Sequence, residues 1–184
     1  MPAPPDAPRP IANIEIKARC RDLAAARESA RRVATHRLGI DRQVDTYFRT
    51  HTGRLKLRES SLSGGQLVPY LRADTPGPKR ADYRVIPVED APGLRRLLGE
   101  ILGVHRVVRK EREIFLVENV RIHLDRVDDL GEFVELEAVF DGSAAAEAAQ
   151  HRAVERLMGE LGVRVEDLVA GSYEALLGAR RPPG

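Results

Sequence analysis

Tryptophan is absent from the 184 residues, and tyrosine and phenylalanine contribute only four each. So few flat rings exclude base stacking on an aromatic platform as the main activity. Cysteine occurs once, as Cys20, which excludes an internal disulfide and most zinc sites and suits a reducing compartment. No apolar run approaches the roughly 18–20 residues that span a bilayer. The N-terminus carries no apolar stretch of signal-peptide type, so a cytoplasmic location is expected. Net charge is only +2, from 30 basic and 28 acidic residues, too balanced for a generic nucleic-acid binder. No glycine-rich Walker-type loop is present, so any phosphate would have to be held by side chains. Lysine is scarce among the many arginines: Lys17, Lys56, Lys79 and Lys110 are the full set.

What is there is a globular composition, 42% hydrophobic and 32% charged, long enough for one domain with a real core. Prolines at 2, 4, 5, 8 and 10 predict a disordered lead over 1–10. Residues 179–184 read as a flexible tail, leaving one folded domain over 11–178. Residues 13–19 alternate strictly between polar and apolar, which predicts a strand. Asp22 caps a helix expected to run to Leu38, where Gly39 ends it. Further strands are expected at 43–48, 54–58, 67–73, 83–88, 106–117, 120–127 and 133–140, with helices at 91–102, 143–161 and 165–178. Pro69 cannot donate a ladder bond, so its strand should be irregular or at an edge. The class is α+β: an eight-stranded, mostly antiparallel β-barrel, a tunnel, with helices packed outside.

The polar faces of these strands carry the functional signal. Glu15 and Lys17, then Arg54, Lys56 and Arg58, then Arg72, Lys110, Arg112, His123, Asp125, Glu135 and Glu137 recur at i, i+2 spacing. The apolar partner faces are made of Ile, Leu and Val, as at Ile14, Ile16, Leu55, Leu57, Ile122, Leu124, Val134 and Leu136, and four amphipathic helices are available to cover them. If helices cover the outside, the charged faces line the inside, where unfilled charge is costly. Two cations about 4 Å apart repel by roughly 4 kcal/mol at an effective dielectric of 20, so a cavity with several implies an anion such as a phosphate chain. The carboxylates imply a hard divalent cation. Glu135 and Glu137 stand about 6.7 Å apart on one strand face, a spacing that can grip a metal. Lys79, in a proline-rich loop, reads as solvated, and Tyr47 and Phe48 read as core. His123 is a candidate for proton transfer.

Ile14-Glu-Ile-Lys17 resembles the first-strand E-x-E-x-K signature of the CYTH superfamily, the triphosphate tunnel metalloenzymes. Arg54-Leu-Lys-Leu-Arg58, Lys110-Glu-Arg112, His123-Leu-Asp125 and Leu130–Glu137 resemble its later strands in the same order. Ser172–Gly178 is similar to the ending of the class IV adenylate cyclase branch. The resemblance implies Mg2+ or Mn2+ held by Glu15, Asp125, Glu135 and Glu137. It implies a triphosphate clamped by Lys17, Arg54, Lys56, Arg58, Arg72, Lys110 and Arg112, with Lys17, Arg112 and His123 in catalytic roles. The implied substrate is a small molecule (ATP, inorganic triphosphate or thiamine triphosphate) handled by a monomer or homodimer, without nucleic acid or membrane. ATP to cyclic AMP is the first expectation; triphosphatase activity or non-catalytic polyphosphate binding are the alternatives. Asn13 departs from the signature, standing where it has its first Glu, and so keeps an oxygen but loses a charge.

Overall fold

The computed structural model of the protein describes residues 11–179. The lead expected over 1–10, and the tail beyond 179, lie outside that range. In chain order the elements are β1 (Ile11–Arg19), α1 (Leu23–Val33), β2 (His36–Phe48), β3 (Arg54–Ser60), β4 (Gly64–Arg72), β5 (Lys79–Tyr83), β6 (Ile86–Val88), α2 (Ala91–Leu102), β7 (Val104–Val117), β8 (Val120–Val127), β9 (Gly131–Phe140), α3 (Ala144–Glu160) and α4 (Tyr173–Ala179). Pairing runs β3-β2-β7-β8-β9-β1-β5-β4, and β4 returns to β3. Eight strands therefore close into an antiparallel barrel, with the short β6 on β4 outside the ring.

Strict alternation sends one face of each strand outward. Ile14, Ile16, Ile122, Leu124, Val134 and Leu136 point out and pack under α1 and α3, against Ala26, Ala30, Val154 and Leu157. Phe48 and Leu57 pack under α2 with Ala91, Leu94 and Leu98. Each fully buried aliphatic contributes about 1.5–3 kcal/mol before entropy is charged against it. Asp22 and Asp90 start α1 and α2 by accepting from the amides of Ala25 and Gly93. With the apolar faces held outside, the charged faces have only the barrel interior to occupy. A third apolar cluster (Val108, Val127, Phe133 and Tyr173, with Leu176 and Leu177 of α4) fills one end of that interior.

Three local expectations are corrected. The helix begun at Asp22 stops at Val33 rather than Leu38, because Ala34 turns extended and Thr35 bonds the Leu116 carbonyl of β7 through both its amide and its hydroxyl. The strand expected at 83–88 is two pieces, β5 and β6, in one continuous register on β4. The interruption lies opposite Pro69, which accepts from the Arg84 amide but has no N–H to return. The last helix is a 3-10 turn at Val165–Asp167 followed by α4.

Candidate active site

The inward faces enclose a cavity of about 550 Å³, within the range of small-molecule sites. Register builds its charged rows. Across β8, β9 and β1, His123 lies beside Glu135 and Glu135 beside Lys17. One row along, Arg121, Glu137 and Glu15 align, and Glu15 faces Lys79 of β5. Lys17, Lys56, Arg58, Arg72, Lys110 and Arg112 all line the same space with Glu15, His123, Glu135 and Glu137.

The acidic corner fits a cation. Ligand atoms of His123, Glu135 and Glu137 lie within 4.8 Å of one another. His123 Nδ1 stands 3.7 Å from Glu135 and 3.9 Å from Glu137, too far for a direct hydrogen bond, and it has no other partner among the described residues. Burial, reinforced by the Arg112 charge, pushes the His123 pKa down, which favours the neutral imidazole that ligates metals. Asn13 Oδ1, buried in the same cavity, also lacks a partner among the described residues. Burial works against ionising Glu135, but Lys17 and Arg112 outweigh it and hold that carboxyl well below the usual range. Lys17 donates to one Glu135 oxygen and Arg112 approaches the other at 3.3 Å. Glu15 accepts from Arg72 at 2.5 Å.

Facing it is a cationic wall organised by a residue the sequence reading missed. Asp45 of β2 is almost fully buried and accepts from Arg58 at 2.7 and 2.8 Å, Lys110 at 3.1 Å and Lys56 at 3.4 Å. Desolvation opposes its charge, but those three cations keep it ionised. One carboxylate cannot satisfy three cations. Burial lowers the Lys110 pKa to about 7 and, with Arg58, that of Lys56 to about 8. The arrangement is poised for an anion that would restore those charges.

Two of the expected site residues, Asp125 and Arg54, do not line this cavity. Asp125 does not face the cavity; it sits behind Arg112, accepting two of its hydrogen bonds at 2.7 and 2.6 Å and a third from the Tyr173 hydroxyl at 2.6 Å. Arg54 lines a neighbouring cleft with Arg49, Leu71 and Glu174, and pairs with Asp74 and Glu174. Lys79 is corrected from a solvated loop lysine to a buried residue of β5 whose ammonium donates to the Thr75 carbonyl at 2.9 Å. Tyr47 is not merely core, since it lines the cavity. Tyr173 was also missed; its ring lies 3.9 Å from Lys17 Nζ and 5.0 Å, edge to face, from Phe133.

The CYTH domain family model matches residues 12–173, and the chain belongs to that family. Among solved structures, a protein of Pyrococcus horikoshii is similar at 22% identity, with 89% of this chain and 98% of that one covered and a TM-score of 0.75. A candidate adenylate cyclase from Vibrio parahaemolyticus shares 20% identity over 91% of this chain and 98% of its own, with a TM-score of 0.74. A candidate adenylyl cyclase from Hippeastrum, described as revealing a dominant triphosphatase activity, shares 16% over 91% and 95%, with a TM-score of 0.59. No curated protein matches by sequence. Among the described residues, no helix is long and apolar enough to cross a membrane.

Proposed function

We propose that the barrel is a divalent-metal-dependent enzyme that binds a triphosphate in its interior. One observation carries the reading: an enclosed cavity sets under-neutralised cations on one wall opposite a His-Glu-Glu corner on the other. Lys17, Lys56, Arg58, Arg72, Lys110 and Arg112 hold phosphate oxygens, the arginines through bidentate contacts and the lysines as point charges. Glu135, Glu137 and His123, with Glu15 near, hold Mg2+ or Mn2+; oxygen-rich donors suit these hard cations. When bound, the cation neutralises phosphate charge and orders the phosphate oxygens. Asp125 and Tyr173 fix the Arg112 guanidinium, so its charge needs no reorientation as the reaction proceeds.

The favoured reaction is that of a class IV adenylate cyclase. The ribose 3′-hydroxyl attacks the α-phosphorus, the bond to the β-phosphate oxygen breaks, and pyrophosphate leaves. In the arrangement in which the cation rests on Glu15, Glu135 and Glu137 alone, the unprotonated ring nitrogen of the neutral His123 accepts the hydroxyl proton. The second reading is triphosphatase activity, in which water attacks the terminal phosphorus; the Hippeastrum likeness favours it. Both reactions rest on positioning and charge. Incubation with ATP, inorganic triphosphate and thiamine triphosphate plus Mg2+ or Mn2+, with products resolved, separates them. Cyclic AMP with pyrophosphate supports the first, and orthophosphate without cyclic AMP replaces it by the second.

A further inference from the structure

The cavity is not charged throughout. Toward its open end it is lined by Leu38, Leu62 and Val85, which are 54%, 53% and 42% exposed. Leu38 is the extra residue of a β-bulge between Arg37 and Gly39, and Gly39 adopts φ +110°, a conformation side chains rarely tolerate. Leu62 sits on the β3–β4 turn, which is pinned rather than loose. Buried Asp41 accepts from the Ser60 and Ser61 hydroxyls at 2.8 and 3.0 Å and from the Leu62 amide at 3.2 Å. The same carboxylate takes the Gln43 amide nitrogen at 2.6 Å. An amide oxygen in that place would repel the carboxylate, so the contact fixes which way the Gln43 amide faces. Its carbonyl oxygen is left buried in the cavity wall with no partner among the described residues, on a residue only 5% exposed. An orphaned acceptor of this kind costs about 1–3 kcal/mol unless a ligand donates to it.

We propose that this lip is a subsite for the organic group of a triphosphate ester: a flat, largely apolar ring covered by Leu38, Leu62 and Val85 and carrying an N–H or O–H that donates to Gln43. It rests on the triphosphate reading above and narrows it. Inorganic triphosphate has neither apolar surface nor ring to place there, so the site selects an esterified substrate, and Gln43 and Leu62 determine that selectivity while Asp41 positions both.

Calorimetric titrations of the full chain in EDTA, where metal-dependent turnover is suppressed, test this with ATP, thiamine triphosphate and inorganic triphosphate. Gln43→Leu and Leu62→Ser are expected to weaken at least one of the two esters about tenfold, the weight of one buried hydrogen bond or one apolar contact. Both should leave inorganic triphosphate within twofold of wild type. Leu62→Ser keeps the backbone bond to Asp41 and lies on an exposed turn, so it reports even where Gln43→Leu unfolds. Equal losses for all three compounds, or no loss for either ester, overturn the subsite alone. Wild-type protein that binds none of the three overturns the triphosphate reading together with it.

Discussion

Asp125 accepts two hydrogen bonds from Arg112, at 2.7 and 2.6 Å, with both side chains almost wholly buried. Burial resists the Asp125 charge, and the guanidinium overcomes it, so the carboxyl is held below its ordinary range. This pair makes a side chain that would otherwise be mobile into a fixed charge at the cavity wall.

Asp125→Asn preserves shape but turns an acceptor toward a cation into a partial donor. Breaking a buried pair costs about 3–5 kcal/mol, which lowers Tm by roughly 10 °C in a chain of this size. Differential scanning fluorimetry is expected to show that loss, and triphosphate affinity should fall with it. An unchanged Tm would mean the pair is not closed in solution.

Glu137→Gln and Glu135→Gln remove charge from the acidic corner. Activity dependent on added metal should drop by more than the roughly 10–100-fold typical of changes behind the ligands. Circular dichroism should stay native for Glu137→Gln, the less buried of the two. Mn2+ binding followed by electron paramagnetic resonance should weaken in both.

Lys110 and Lys56 make binding and stability respond to pH in opposite ways. Their folded pKa values, about 7 and about 8, lie below the ordinary 10.5. Between those values the unfolded chain therefore holds more protons than the folded one, and ligand-free stability rises with pH through that window. A bound triphosphate draws protons back onto the lysines, so its affinity should fall from pH 7 to pH 9. Urea titrations and calorimetry in buffers of different ionisation enthalpy measure the two slopes; Lys110→Met should flatten both.

Asn13→Glu restores a carboxylate where an unpartnered amide oxygen now faces the cavity. Because affinity for hard cations follows ligand charge, Mn2+ should bind roughly tenfold more tightly. If turnover also appears only in this variant, the wild-type chain is a binding protein rather than an enzyme.

The barrel was legible because its strands advertise a period of two. In Ile14-Glu-Ile-Lys17 and Arg54–Arg58 the apolar partners had to face helices, and the charges were thereby sent inward. Asp45 does not stand out in the sequence although Asp41, Gln43, Asp45 and Tyr47 share the same alternation; the stretch reads as an ordinary strand until three cations arrive from β3 and β7. Lys79 follows a Pro-Gly-Pro loop whose composition signals solvent, and only pairing with β1 buries it. Tyr173 belongs to a short terminal helix, and no local periodicity tells that its ring enters the end of the barrel. The end of α1 is not legible in the sequence because helical spacing is indifferent to a neighbouring strand edge that can outbid it for hydrogen bonds.

The most direct test is a crystal structure grown with inorganic triphosphate and Mn2+, with anomalous scattering recorded at the manganese edge. The anomalous peak is expected between His123, Glu135 and Glu137, with phosphate density reaching Arg112, Lys110 and Arg58. Manganese and triphosphate found together on the outer surface, with the interior holding only water, would contradict the account.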